Sequence, residues 1–303
     1  MSVNWRDQIG KVGYRVGFNL SDSQSKIVKY NSNESGILTS ALSNGSTFWN
    51  YYEGKDLGEI WGYEYDGFYT VDDFTDTSSW KLKEGVPSID GYNPRPGDVK
   101  FKNLKDDDRG TNMISSGDNT VSNPGDRKVI GNNTPRYLYG ITLGANFKGF
   151  DLNVFMQGTG KRDAWIANNL KFPLYSDFKF IALYKDLGNY WKPVDAANGD
   201  YTAANPNAEF PRIYGNYGNQ GSNYRQSDKY LSDASYFRIK NVTLSYTFPK
   251  AWITKASLSQ LKAFVSIENL ATFSSLPKGI DPETLSWNYP AFRTVSFGLN
   301  VTL

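Results

Sequence analysis

The chain has 303 residues, with 33 Lys and Arg against 31 Asp and Glu, so its formal charge of +2 carries no excess that would point to nucleic acid. It contains no cysteine and no histidine, which excludes disulfides, thiolate metal sites, Ser-His-Asp chemistry and histidine acid–base catalysis. Aromatic residues make up 16% and glycines number 28, a composition that favours strands and turns; no apolar run approaches the ~18 residues of a membrane helix.

Met1-Ser-Val-Asn-Trp5 has no apolar core and no cleavage site, so no signal peptide is expected; the chain is then either cytosolic or the end of a longer one. The first strand is predicted at Val12, Tyr14, Val16, Phe18 and Leu20, which alternate with Gly13, Arg15, Gly17 and Asn19. A short polar turn at Ser21–Ser25 leads to a second, weaker strand at Lys26–Tyr30. From about residue 31 to 134 there is no sustained alternation, only turn signals such as Asp66-Gly67, Asp90-Gly91 and Pro96-Gly97. A stretch this long is expected to be functional or a small subdomain.

Tyr137 to Phe147 alternates again, Lys148-Gly149 reads as a two-residue hairpin turn, and Phe150, Leu152, Val154 and Met156 continue the pattern. A second irregular stretch spans residues 158–232, with a short helix expected near Asp163–Leu170. In Tyr236–Phe248 the second half alternates cleanly, but Arg238 and Lys240 fall on the apolar phase, which calls for a bulge or for emergence from a membrane. Leu261 to Ile267 alternates, and a loop from about residue 271 to 292 leads to the last strand, 293–303. There Val295, Phe297, Leu299, Val301 and Leu303 share one face, opposite Thr294, Ser296, Gly298, Asn300 and Thr302.

Short and long connections alternate along the chain. Outer-membrane barrels sort their loops this way, short on the periplasmic side and long outside, whereas a soluble sandwich has water at both ends and no reason to. The expected fold class is therefore all-β, an antiparallel transmembrane β-barrel with roughly seven strands visible, its terminal strand facing lipid through Val295, Phe297, Leu299, Val301 and Leu303. Seven strands do not close a barrel, and an open edge in lipid leaves backbone groups unpaired, so residues 1–303 are expected to be one part of a larger barrel. Alternatives are a soluble carbohydrate-binding β-sandwich and a structural or adhesin barrel.

Several segments resemble the C-terminal part of the SusC/RagA family of TonB-dependent outer-membrane transporters. They are Ser235-Tyr-Phe-Arg-Ile-Lys-Asn-Val-Thr-Leu-Ser-Tyr-Thr-Phe-Pro249, Val265-Ser-Ile-Glu-Asn-Leu270, Gly279-Ile-Asp-Pro-Glu283, Tyr289-Pro290 and the terminal strand. Upstream, Gly62-Tyr-Glu-Tyr-Asp-Gly67, Asp126-Arg127 and Lys148-Gly-Phe-Asp151 fit the same resemblance. The chain departs from it in ending on Leu303 rather than Phe, and in lacking a regular Asp-x-Asn-x-Asp-Gly loop after Gly97-Asp98-Val99.

The resemblance implies import of glycans or oligopeptides across the outer membrane of a Gram-negative, Bacteroidetes-type cell. It implies a SusD-like surface lipoprotein as lid, energy from a TonB complex through an N-terminal part, and no enzyme activity. Nothing in the chain resembles the plug domain or the TonB box. Sugar stacking is expected of the loop aromatics Trp165, Tyr190, Trp191, Tyr214, Tyr217 and Tyr224, with self-packing of the loop as the competing role. Asp106, Asp107 and Asp108 could hold Ca²⁺ with carbonyl help, or form a solvated acidic loop; no other cofactor is expected. Tyr137, Tyr139, Tyr246 and Phe248 are expected at interfacial aromatic girdles. Asp73, Asp76 and Glu84 are loop acids of a kind too frequent to imply glycoside hydrolysis.

Overall fold

A computed structural model describes residues 1–42, 47–89, 91–105, 113–166, 185–214, 222–254, 257–286 and 291–303. The chain divides into two compact units: residues 1–24, 134–163 and 233–303 form one, and residues 25–133 and 164–232 the other.

The first unit is a seven-stranded antiparallel sheet in which every strand pairs with its neighbours in chain order. Its strands are β1 (Ser2–Ile9), β2 (Val12–Ser21), β3 (Arg136–Phe147), β4 (Phe150–Lys161), β5 (Tyr236–Thr247), β6 (Gln260–Ser274) and β7 (Thr294–Thr302). Five of the seven expected strands stand where the alternation put them, and the terminal strand is the sixth. The seventh does not: Lys26–Tyr30 is no strand, and Lys26 makes only an isolated bridge to Asp56. The partner of β2 lies upstream, where Ser2–Ile9 pairs with it across a turn at Gly10. Asp7 interrupts the alternation of that segment and hid it. The expected helix near Asp163–Leu170 is also not found where described, since Asp163–Trp165 is a short strand.

Lys148 and Gly149 have φ of 48° and 90°, the left-handed pair that a two-residue hairpin demands and that glycine takes without strain. The sheet's short connections, at Gly10-Lys11, Lys148-Gly149 and residues 248–259, all lie at one end. The last of these holds the brief helix Lys250–Ile253. Longer connections leave the other end.

Register aligns the two faces across all seven strands. On one face, a row runs through Trp5, Val16, Leu143, Val154, Val242, Ile267 and Val295. Rows of aromatics bound this apolar band. Phe150 and Tyr246 pack at 4.6 Å near the short-turn end, and Tyr246 touches Phe248 at 5.1 Å. Phe237 stacks on Phe273 at 6.0 Å near the other end, in the same register row as Tyr139. Eight residues of β4 separate the two rows, which at ~3.4 Å per residue is about 27 Å along the strand. The apolar side chains stand exposed: Trp5 60%, Val295 50%, Phe297 81%, Leu299 69% and Leu303 91%.

The opposite face is polar. Asn19 lies over Gly140 and Arg15 over Gly144, so long polar side chains cover the positions that lack one. The irregular phase of β5 is resolved by a bulge. Asn241 pairs with Phe155 but Ile239 with Met156, so Lys240 has no opposite residue, and Arg238 falls on the polar face opposite Gln157. Arg238 is buried at 1% exposure. Its Nη2 and Nη1 stand 2.9 Å from Asp281 and Glu283 respectively, and its Nε donates to Thr272 Oγ1 at 2.8 Å. Arg162 Nη1 donates to the carbonyls of Pro282 and Glu283 at 3.0 and 3.2 Å, and Gln157 donates to the Glu283 carboxylate. The Gly279–Glu283 segment is thereby fastened to the polar face of the sheet.

The second unit is built from the two long connections together, with two-stranded sheets and short 3-10 helices as its regular structure among the described residues. Among the described residues its interior includes three small apolar clusters: Tyr63, Val99, Phe101 and Ile114; Leu38, Tyr52 and Trp61; and Phe210, Tyr224 and Tyr230. Irregular backbone needs polar side chains to satisfy its N–H groups. Asp126, fully buried, accepts from the backbone of Leu104 at 2.6 Å, Lys105 at 3.0 Å and Ser115 at 2.8 Å. Tyr63 N donates to Gln226 O at 2.9 Å and Val99 N to Asn223 Oδ1 at 2.8 Å, so the two connections knit into one body.

Among the described residues no helix is long and apolar enough to cross a membrane, which says nothing of crossing by strands.

Candidate functional site

Within the second unit the segment Pro94-Arg-Pro-Gly-Asp98 makes a tight turn around a buried carboxylate. Asp98 is fully buried and accepts from Arg95 N at 2.7 Å, Asn223 Nδ2 at 3.0 Å and Tyr214 Oη at 2.5 Å. Tyr92 Oη lies 3.4 Å from Tyr214 Oη and extends the chain of hydroxyls. Gly97 sits at φ 88° beneath the Trp191 ring, where an added Cβ would overlap the indole. Arg212 N donates to Gly97 O at 2.9 Å, which brings the second long connection against this turn.

Above the carboxylate is an open cleft of about 540 Å³. Its walls are Trp80, Tyr92, Tyr201 and Tyr214, with Arg95 and Arg212 among them. Trp80 packs edge to face on Tyr201 at 4.8 Å and on Phe74 at 5.3 Å. Its φ of 55° is a conformation that a bulky residue rarely holds, so neighbouring packing keeps this ring where it is. The Arg212 guanidinium lies 4.6 Å from the Tyr214 ring centroid. Volume, aromatic walls and a few polar groups are the usual features of a small-ligand site.

Burial pushes the Asp98 carboxyl above the ordinary carboxylate range, opposed by the hydroxyl and amide donors around it. Burial and the nearby Asp98 charge push the Tyr92 and Tyr214 phenols up as well. An acid with a raised folded-state pKa binds more protons folded than unfolded, so stability falls as pH rises from the unfolded value through the folded one. The thermal midpoint of this unit, followed by near-ultraviolet dichroism of its tryptophans, is therefore expected to fall over that window, and Asp98→Asn to flatten the slope. An unchanged slope in Asp98→Asn would assign it to other groups.

Of the loop aromatics expected to stack on sugars, Tyr214 lines the cleft. Trp191 and Tyr224 are buried at 6% and 7%. Trp165 and Tyr190 pack on the cluster of Phe210, Tyr224 and Tyr230. Tyr217 lies outside the described residues, as do Asp106, Asp107 and Asp108. Among the described residues no group of three acids is placed to hold a metal ion. Asp73 pairs with Lys100 at 3.3 Å, and Asp76 accepts from Ser78 and Ser79 in its own turn. Sequence reading missed Trp80, Tyr92, Tyr201 and both arginines, which lie far apart in the chain. The local signal was the Pro96-Gly97-Asp98 turn, a compact turn ending in an acid.

No family model matches the sequence. The chain is 28% identical over 308 residues to TonB-dependent receptor P3 of Formosa agariphila, an alignment covering 95% of this chain and 26% of that protein. TonB-dependent receptor P39 of the same organism is 21% identical, with 95% of this chain and 28% of that protein covered. In fold the chain matches the RagAB peptide transporter at a TM-score of 0.63 and 18% identity, over 99% of this chain and 28% of that one. The RagAB peptide importer in its closed-closed state gives 0.64 at the same identity and coverage. The chain spans about a quarter of the length of these relatives. The resemblance drawn from the motifs thus holds: along most of its length the chain is similar to TonB-dependent receptors and to a SusC/RagA-type transporter.

Proposed function

We propose, from the chain's likeness to TonB-dependent receptors of the SusC/RagA type, that it is the C-terminal barrel part of an outer-membrane nutrient importer. The observation that carries this reading is the exposed apolar band. It crosses seven strands in register and is bounded by aromatic rows about 27 Å apart along a strand. At the usual tilt of ~35–45° that spacing gives a height of roughly 20 Å, near the ~25 Å apolar band of outer-membrane barrels. In this arrangement Val295, Phe297, Leu299, Val301 and Leu303 face lipid, and the polar face with Arg15, Asp151, Lys262 and Glu268 lines an aqueous lumen. The edges of the sheet, β1 and β7, then pair with strands of the remaining barrel, because unpaired edges are not viable in lipid.

The second unit, made from the long connections, is the extracellular surface that meets substrate. A SusD-like surface lipoprotein closes over it, and a TonB complex supplies energy through the N-terminal part of the whole protein. The substrate is a glycan or an oligopeptide. In cell fractionation the protein is expected in the outer-membrane fraction, and deletion of its gene is expected to abolish growth on one glycan or peptide source. Recovery as a soluble, folded monomer without detergent would overturn the reading and favour the β-sandwich.

A further inference from the structure

We infer that the cleft of the second unit selects an anionic oligosaccharide, one bearing carboxylate or sulfate groups, with Arg95 and Arg212 as its charge readers. This rests on the import reading only for the physiological role of the site; the binding chemistry stands on the cleft alone. The cleft is lined by two arginines and, among the described residues, by no carboxylate. Neither guanidinium is in a salt bridge among the described residues, although both are half-buried. Elsewhere in the same unit Lys100 is matched with Asp73, and Lys102 and Lys128 with Glu64, while the buried Lys55 and Arg127 are satisfied by carbonyl oxygens and aromatic rings. Half-buried arginines with no carboxylate in salt-bridge contact keep donors for an anion from outside, although Arg95 Nη1 also donates to Pro94 O at 2.9 Å, and their planar forks suit carboxylate and sulfate oxygens.

The buried Asp98 feels the Arg212 charge but makes no salt bridge with either arginine. Its oxygens are taken by Tyr214, Asn223 and the Arg95 backbone, and it lies beneath the cleft rather than in its lining. What Asp98 does is fix Tyr214, on whose ring Arg212 rests at 4.6 Å. The aromatic walls add flat apolar faces on which the C–H side of a pyranose can lie. A short peptide is a poorer fit. It would bring an ammonium as well as a carboxylate, and among the described residues the lining offers no acid to receive the cation.

The test uses the full-length protein in detergent or nanodiscs, titrated calorimetrically with four probes of similar length. These are an oligogalacturonide, the neutral galactose oligomer, a sulfated galactose oligomer and an acidic peptide. Expected is binding of the two anionic oligosaccharides at least tenfold tighter than the neutral one, weakening as salt rises. Arg95→Gln with Arg212→Gln is expected to lose tenfold to a hundredfold on the anionic sugars and to leave the neutral oligomer unchanged. Arg212→Lys keeps the charge and guards against a fold defect, and an intermediate loss is expected from it. Equal affinity for the neutral oligomer, an unchanged double variant, or binding of the peptide alone would overturn the inference. Anion binding by a protein that is not found in the outer membrane would sustain it while removing the import reading.

Discussion

Arg238→Met is expected to lower unfolding stability by about 3–5 kcal/mol, the cost of leaving a buried charge without its partner. Asp281, 7% exposed, would lose the Nη2 contact at 2.9 Å, and Thr272 the donor at 2.8 Å. Glu283, at the edge of the network, keeps Lys240 at 3.4 Å and suffers less. Adding Asp281→Asn should restore part of the loss, because the amide still accepts from Glu283 N, as Asp281 Oδ1 does at 2.8 Å, and carries no charge. Urea unfolding in micelles, comparing the single and double variants, measures this. A single variant within about 0.5 kcal/mol of the parent, the ordinary range of a surface change, would show that the network is dispensable. The same network explains why two distant motifs occur together. Tyr236-Phe-Arg238 and Gly279-Ile-Asp-Pro-Glu283 are two halves of one fastening of a loop to the polar face of the sheet.

Val242→Arg should destabilise the membrane-inserted protein by about 2–4 kcal/mol, the cost of a cation at the lipid-facing midplane of a barrel. Val242 sits between Val154 and Ile267 in the middle of the apolar band, between the aromatic rows. Thr243→Arg, one residue on, points to the other face. It loses hydroxyl contacts of 2.9 Å to Asn241 and Ser266, a change of about 1 kcal/mol. The pair isolates face from position, since the two sites are adjacent in the chain. Folding into lipid vesicles followed by chemical denaturation gives both values. A costly Thr243→Arg with a neutral Val242→Arg would invert the polarity of the sheet and remove the lipid-facing assignment.

Most of the sheet was legible in the sequence. A strand whose two faces meet different surroundings writes its period of two into the chain, and six strands were found that way. The disturbed phase at Arg238 and Lys240 called for a bulge or for emergence from a membrane, and a bulge stands there. Lys148-Gly149 foretold its hairpin, because only a left-handed pair closes a two-residue loop. The error at Lys26–Tyr30 and the omission of Ser2–Ile9 share one cause. Near a sheet end the alternation is short and easily broken, by Asp7 in one case and mimicked by chance in the other. The loop unit left almost no periodic trace. Its interior is assembled from single residues held by buried acids, and such contacts have no fixed spacing.

The sequence by itself therefore determined the all-β class, the order and orientation of six strands, the alternation of short and long connections, and the single apolar face ending at Val295–Leu303. These are local properties, set by side-chain alternation and turn chemistry within a few residues. Only the tertiary structure decided that β1 completes the sheet, that Arg238 answers Asp281 and Glu283, and which aromatics pack and which line a cleft. Trp80, Arg95, Tyr201 and Arg212 converge from two separate connections. Nothing within either connection specifies the other's approach, because the convergence is fixed by non-local burial around Asp98 and the Phe210 cluster.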